Sequence, residues 1–324
     1  MRRWAFIAFL GATALSWYSH SYAQAPDKVH RVAVISFSAS SIETFRSFVV
    51  PELAKLGFVE GRNLAVTMHI GLLEHMPEVA REALAANPDV IVATGDPAIR
   101  AVKATSSNVP VVMSFIGVDP VGLGLAQSLA RPGGSVTGIW MLARDLDGKR
   151  LVLLHDAVPS ARRIAILAMR PPVHTDTIKE MQRIGQGLGL EVHAYFANGP
   201  NDYPEAFASM RAARIEAVAI LASPVFNRDA AVLSRMALGA GLPTVCEWAS
   251  MSRDGCLIGH GPNLAALRLR VADYVARILR GTPPGDLPIE LPAKFETAVN
   301  LRTAKQLGLI LPQTITTRAD EVIE

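Results

Sequence analysis

Apolar and polar positions along this chain fall into short blocks. The first is Arg31-Val32-Ala33-Val34-Ile35-Ser36, apolar and β-branched, which is the pattern of a strand buried on both faces of a parallel sheet. Helical spacing runs from Ile42 to Leu56 and stops at Gly57, a residue suited to a left-handed helix end. The pattern then predicts a strand at Leu64 to His69, a helix at Pro77 to Ala86 and a strand at Asp89 to Thr94. A helix at Pro97 to Thr105, a strand at Val109 to Phe115 and a helix at Val121 to Ala130 follow. Strand and helix alternate with Gly/Pro/Asn punctuation, the signature of an α/β fold with a parallel sheet.

Near residue 163 the pattern restarts. Arg163-Ile164-Ala165-Ile166-Leu167-Ala168 repeats the first strand 132 positions later, and Leu188-Gly189-Leu190 answers Leu56-Gly57-Phe58 at the same offset. The run from Ala217 to Pro224 answers Val90 to Pro97, and Pro243-Thr244-Val245-Cys246 answers Pro110-Val111-Val112-Met113. Four matches in order predict two α/β lobes of one architecture, which the family resemblance below makes Rossmann-like with helices on both sheet faces; two unrelated α/β domains are the alternative. Beyond them lie a helix at Leu264 to Leu279, a strand at Thr297 to Val299 and a helix at Thr303 to Leu307. The expected lobes are 27–144 with about 262–284, and 145–261 with about 290–324. A chain that returns in this way crosses between lobes several times, and such crossings make a hinge beside a cleft.

The N-terminus reads as an export leader. Met1-Arg2-Arg3 is positive, Trp4 to Leu15 is mostly apolar, and Ser21-Tyr22-Ala23 is a small-x-small cleavage pattern. Residues 1–23 are therefore expected to be a signal peptide, with a buried N-terminal helix as the alternative. Twelve apolar residues are too few to span the hydrocarbon of a bilayer. The mature protein is expected to be exported, not membrane-spanning, and monomeric; the resemblance given below implies the periplasm. The 32 Lys+Arg against 29 Asp+Glu give a net +3 over 324 residues. Part of that excess is Arg2 and Arg3. With dispersed bases and only 6% aromatics, a nucleic-acid partner has no support.

Ligands of open parallel sheets sit at the carboxyl ends of the strands. That rule selects Ser36 and Phe37, the turn Thr94-Gly95-Asp96-Pro97-Ala98, and Asp119 in the first lobe. In the second lobe it selects Ser223, Val225, Phe226 and Glu247, with Trp248 beside it. Helix N-termini there favour an anion, hydroxyls add hydrogen bonds, and Asp119 or Glu247 suits an ammonium. Each has a plainer reading. Asp96 and Asp119 are also suited as helix caps, the aromatics as core, and Glu247 as a solvated rim residue.

Enzyme motifs are missing. No Gly-x-Gly-x-x-Gly follows a strand, and no Walker-type loop or Gly-x-Ser-x-Gly elbow occurs. The histidines never adopt a zinc-ligand spacing, so neither metal nor cofactor is expected. Cys246 and Cys256 form either a disulfide at the cleft rim or two buried thiols. Binding without chemistry is the expectation.

Several runs resemble one family of ABC-transporter substrate-binding proteins, the one that includes tryptophan- and other aromatic-amino-acid-type binding proteins. They are Leu56-Gly57-Phe58-Val59-Glu60-Gly61-Arg62-Asn63, Asp119-Pro120-Val121-Gly122, and Ser128 to Gly138. Lys149-Arg150-Leu151, Leu287-Pro288-Ile289-Glu290 and Asn300 to Leu309 extend the likeness along the chain. The resemblance implies a type I periplasmic binding protein with a three-strand hinge, delivering a small amino-acid-like or related organic acid to an inner-membrane ABC permease. A sensing module for a membrane receptor or kinase is the alternative. The family's pocket loops map onto the residues named above and add Met141. Asp96 stands where similar proteins carry a hydroxyl or amide, Cys246 where they carry Tyr, and Cys256 where they carry Gly.

Overall fold

The computed structural model describes residues 28–36, 39–106, 108–117, 119–171 and 174–324. The expected leader and Phe37 lie outside these residues.

The first sheet holds β1 (His30–Ser36), β2 (Leu64–Ile70), β3 (Val90–Thr94), β4 (Val111–Ile116) and β5 (Val136–Trp140). Its order is β2-β1-β3-β4-β5, every pair parallel. The second sheet repeats that order with β6 (Arg163–Ala168), β7 (Glu191–Phe196), β8 (Ala217–Ile220), β9 (Thr244–Cys246) and β10 (Ile258–Pro262). It reads β7-β6-β8-β9-β10 and then continues into β11 (Phe295–Asn300) and β12 (Glu321–Ile323). The repeated order is what the recurring sequence blocks predict. β10 and β11 run antiparallel, because the chain returns to this sheet from the opposite end.

Strand alternation divides the cores. Val32, Val34, Val90 and Val92 face a helix made of α1 (Ala39–Thr44), a π-helical turn at Phe45–Val49 and α2 (Val50–Lys55). Ala33, Ile35, Ile91 and Ala93 face α3 (Met76–Ala85) and α4 (Asp96–Thr105). The second sheet is covered by α5 (Ala143–Ala157) and α6 (Thr175–Gly187) on one face. On the other lie α7 (Tyr203–Ala212), α8 (Pro224–Arg228) and α9 (Ala230–Gly239). A strand buried on both faces needs apolar residues at every position, which is why these runs show no period of two. The short α10 (Ala249–Arg253) leads into β10. The long α11 (Leu264–Leu279) then packs back against α2 and the first sheet. Among the described residues no helix is long and apolar enough to cross a membrane.

The expected helix at Val121 to Ala130 is absent; the segment is a series of turns. Asp119 Oδ1 accepts from Val121 N at 2.9 Å, and Leu125 N closes onto Pro120 O. Gly124 takes φ 68°, a conformation that ends helical winding. The helix after β3 also starts one residue early. Gly95, at φ 78°, occupies the cap position expected of Asp96.

Among the described residues the chain passes between the sheets three times: after β5, after β10 and before β11. Trp140 N donates to Glu290 O and Glu290 N to Gly138 O, so the first and third passages are laced together. Asn263 N donates to Lys294 O, which laces the second to the third.

Candidate functional site

Both sheets turn the carboxyl ends of their central strands toward loops that carry polar groups. In the first, Ser36 ends β1 fully buried, with its carbonyl accepting from Gly71 N. Thr94 pairs with Ser114 across β3 and β4, and Gly95 N donates to Ser114 O. Asp96 Oδ1 accepts from Gly117 N at 3.2 Å, tying the loop after β3 to the loop after β4. Pro97 holds the first turn of α4, while Ala98 is turned into the core behind it. Asp119 is exposed and Met141 is packed in the core at the first passage.

The second sheet holds a denser arrangement. Ser223 caps α8, its Oγ accepting from Val225 N at 3.2 Å. Its own amide donates to Glu247 Oε2 at 3.2 Å, which joins the ends of β8 and β9. Val225 is half-buried, whereas Phe226 is wholly buried against Tyr203 with ring centroids 6.3 Å apart. Trp248 is likewise core.

Two residues not among the expected site residues complete this end. Asp147 and Arg150 lie on the buried face of α5, 2% and 1% exposed, between Leu146 and Leu151. Arg150 Nη1 donates to Asp147 Oδ1 at 2.7 Å, Nε to His260 O at 2.7 Å and Nη2 to Glu247 O at 3.1 Å. Asp147 Oδ1 also accepts from Ala222 N. Their signal in the sequence is an Asp and an Arg three apart on a face that otherwise reads as apolar.

Burial dominates the electrostatics. It pushes the Glu247 carboxyl up to about 7, opposed by Arg150 and reinforced by Asp147. Glu247 is half-buried. Burial also raises Asp147, with the Arg150 guanidinium pulling the other way. His174 accepts from Met169 N at Nδ1 and donates from Nε2 to Ala222 O, so its ring is neutral. Burial lowers it to about 4.

Cys246 and Cys256 are joined as a disulfide, with Cα atoms 6.4 Å apart. Both are fully buried in the core facing α7 to α9, so the bridge lies beneath the site and not at its rim. Among the described residues no group of three or more His, Cys, Asp or Glu is placed to hold a metal ion.

The family model for ABC transporter substrate binding proteins matches residues 31–323. A tyrosine-binding protein of Clostridioides difficile is 21% identical over 274 residues, covering 83% of this chain and 78% of that protein. A conserved domain protein from Vibrio cholerae superposes with a TM-score of 0.83 at 23% identity, over 91% of this chain and 100% of the other. A domain from Streptococcus pneumonia, solved in complex with L-Trp, gives 0.82 at 19% identity with the same coverage. At these identities the two solved structures speak to the fold, while the family match spans nearly the whole chain. This protein belongs to the ABC transporter substrate binding protein family, a family of solute-binding proteins and not of enzymes.

Proposed function

We propose that this chain is the periplasmic solute-binding component of an ABC transporter, and that it closes a cleft between two lobes on a small amino-acid-like or related organic acid. One observation carries the reading. Two sheets of the same strand order present polar strand ends (Ser36, Thr94, Asp96; Ser223, Glu247), and among the described residues the chain passes between them three times. Ligand that touches both lobes favours the closed arrangement by its differential affinity, and a few passage residues absorb the hinge motion, as in periplasmic binding proteins generally. The lobes on this reading are 27–144 with 262–284, and 145–261 with 290–324. Residues 1–23 are the leader removed on export, the mature form is a monomer, and its partner is an inner-membrane permease. A tyrosine-binding relative and an L-Trp complex of the same fold direct the choice of ligands to try.

The test is a thermal-shift panel on the purified protein with L-tyrosine, L-tryptophan, other amino acids, aromatic acids, purines and sugars. A ligand at 100 times its Kd adds about 2.7 kcal/mol, a clear rise in the midpoint. No shift across the panel would count against binding in the cleft.

A further inference from the structure

The three passages between the sheets change sides abruptly. In the first, Trp140 pairs with Ile116 and Met141 N donates to Ile116 O, so the chain belongs to the first sheet up to Met141. α5 begins at Ala143 and is fixed to the second sheet through Asp147 and Arg150. Only Leu142 lies between. In the second passage Pro262 pairs with Phe295, and Asn263 already caps α11, its Oδ1 accepting from Ala266 N at 2.6 Å. In the third, Glu290 is held to β5 by its backbone and to Arg270 of α11 by its carboxylate, which accepts from Nε at 2.8 Å and from Nη2. Lys294 O already accepts from Asn263 N, which leaves Leu291, Pro292 and Ala293 in between. Rotation of one lobe against the other therefore falls on Leu142, Asn263 and the segment around Pro292.

Leu142 differs from the rest. Its φ of 51° and ψ of 41° lie in the left-handed region, whereas Asn263 has an ordinary φ of −66°. Among the described residues, Asn87 and Arg214 are the other non-glycine positions with positive φ. Both follow a helix, α3 and α7, where a left-handed residue is the common ending. Leu142 precedes one, where the chain is ordinarily extended. For leucine the left-handed well is small and carries a penalty of about 5–30-fold in population. Such strain persists only where the surroundings enforce it. Here they are a strand of one lobe on one side and a helix of the other lobe on the other.

We propose that Leu142 is a two-state pivot of the hinge. The lobe arrangement described above holds it in the left-handed well, and a second arrangement, reached by lobe rotation, lets it return to negative φ. The pivot rests on the lobe motion proposed above and adds the element that makes that motion switch-like. The residue at 142 then sets the balance of the two arrangements, and with it the apparent affinity for any ligand that fits only one.

Pulsed electron paramagnetic resonance on the purified protein tests this without a ligand. Spin labels are attached at Glu78→Cys in α3 and Glu205→Cys in α7, exposed positions on different lobes. The native cysteines are bridged and buried and take no label. Leu142→Val, with a β-branched side chain ill suited to positive φ, should move the protein toward a second interlabel distance. Leu142→Asn and Leu142→Gly tolerate positive φ and should move it the opposite way, changing the ratio of the two distances by about 5–30-fold. Thermal melts establish that each variant is folded, and the Asn and Gly variants decide the matter if Val does not fold. One unchanged distance in every folded variant overturns the proposal. So does a shift of Asn and Gly in the direction opposite to the one stated, which would mark lost packing of the leucine side chain. Because no ligand enters the measurement, the two readings fail separately. Unshifted distances leave the binding function standing, and a ligand panel without a hit leaves the pivot to be judged on the distances.

Discussion

Arg150 Nε donates to the His260 carbonyl oxygen at 2.7 Å, across 110 positions of sequence. The bond fastens α5, which begins just after the first passage between the sheets, to β10, which leads into the second. Replacing Arg150 with Ala leaves Asp147 buried and uncompensated, a change that typically costs about 3–5 kcal/mol. Urea denaturation of Arg150→Ala should show that loss. The double variant Asp147→Leu with Arg150→Leu should recover much of it, because the stranded charge is gone. Arg150→Lys should fall between wild type and Ala, since one ammonium cannot reproduce the guanidinium's three directed bonds.

His174 and Glu247 should pull the pH profile of stability in opposite directions. For His174 the folded value, about 4, lies below the unfolded 6.5, so the unfolded chain binds protons more readily. Stability from this residue is complete above pH 6.5 and is lost as pH falls toward 4. For Glu247 the folded value, about 7, lies above 4.5, so stability is lost as pH rises from 4.5 through 7. Each effect is on the order of 3 kcal/mol at full extent. Relative to wild type, His174→Asn should flatten the acid limb and Glu247→Gln the neutral one. Chemical melts between pH 4 and 8 would show this; variant and wild-type curves running parallel over the whole range would contradict it.

The disulfide closes a loop of sequence separation 10 that contains Glu247 and α10. In the chain-entropy view such a loop is worth about 2–3 kcal/mol. Replacing both cysteines with Ala should lower the midpoint accordingly and add a small packing loss, because both sulfurs are buried in the core. Reductant with alkylating agent should leave the folded protein's mass unchanged, and should add two labels only once denaturant is present. Labelling of the folded protein at the same rate would mean the bridge is not buried.

Buried strands were legible because burial on both faces writes itself as runs such as Val32 to Ile35 and Ile164 to Leu167. The repetition of those runs carried the two-sheet architecture. The turns at 119–130 read as a helix in the sequence because Val121, Leu125 and Leu129 recur every four residues, while Gly122 and Gly124 break it. Asp96 has a local appearance, a carboxylate before Pro97, but its partner is Gly117 in the next loop. The site was half legible for a related reason. The strand-end rule finds Ser223 and Glu247, which lie where strands stop. It cannot find Asp147 and Arg150, which sit inside a helix and take their meaning from β8, β9 and β10. The half-buried setting of the Glu247 side chain is hidden in the same way, because it depends on what α5 and Trp248 place around it.

Gly261 keeps the end of β9 against β10. A Cβ at this position would lie 2.1 Å from Glu247 O and 3.2 Å from the Trp248 ring, the first of which is a backbone atom that cannot rotate away. Gly261→Ala therefore has to push the Glu247–Trp248 segment off β10 or distort β10 itself. Either movement lengthens the Arg150 bond to Glu247 O and loosens the Ser223 amide from the Glu247 carboxylate. Overpacking of this kind typically costs about 1–3 kcal/mol. The stability loss alone would mark Gly261 as a packing residue. The sharper expectation concerns chemistry: desolvation is the largest cause of the raised value, so with water admitted the Glu247 carboxyl of Gly261→Ala should titrate closer to the ordinary 4.5 than the wild type's about 7. Carboxyl NMR on the two proteins measures that difference directly, and a variant that loses stability while Glu247 titrates unchanged would show that the close approach at Gly261 serves the strand pair alone.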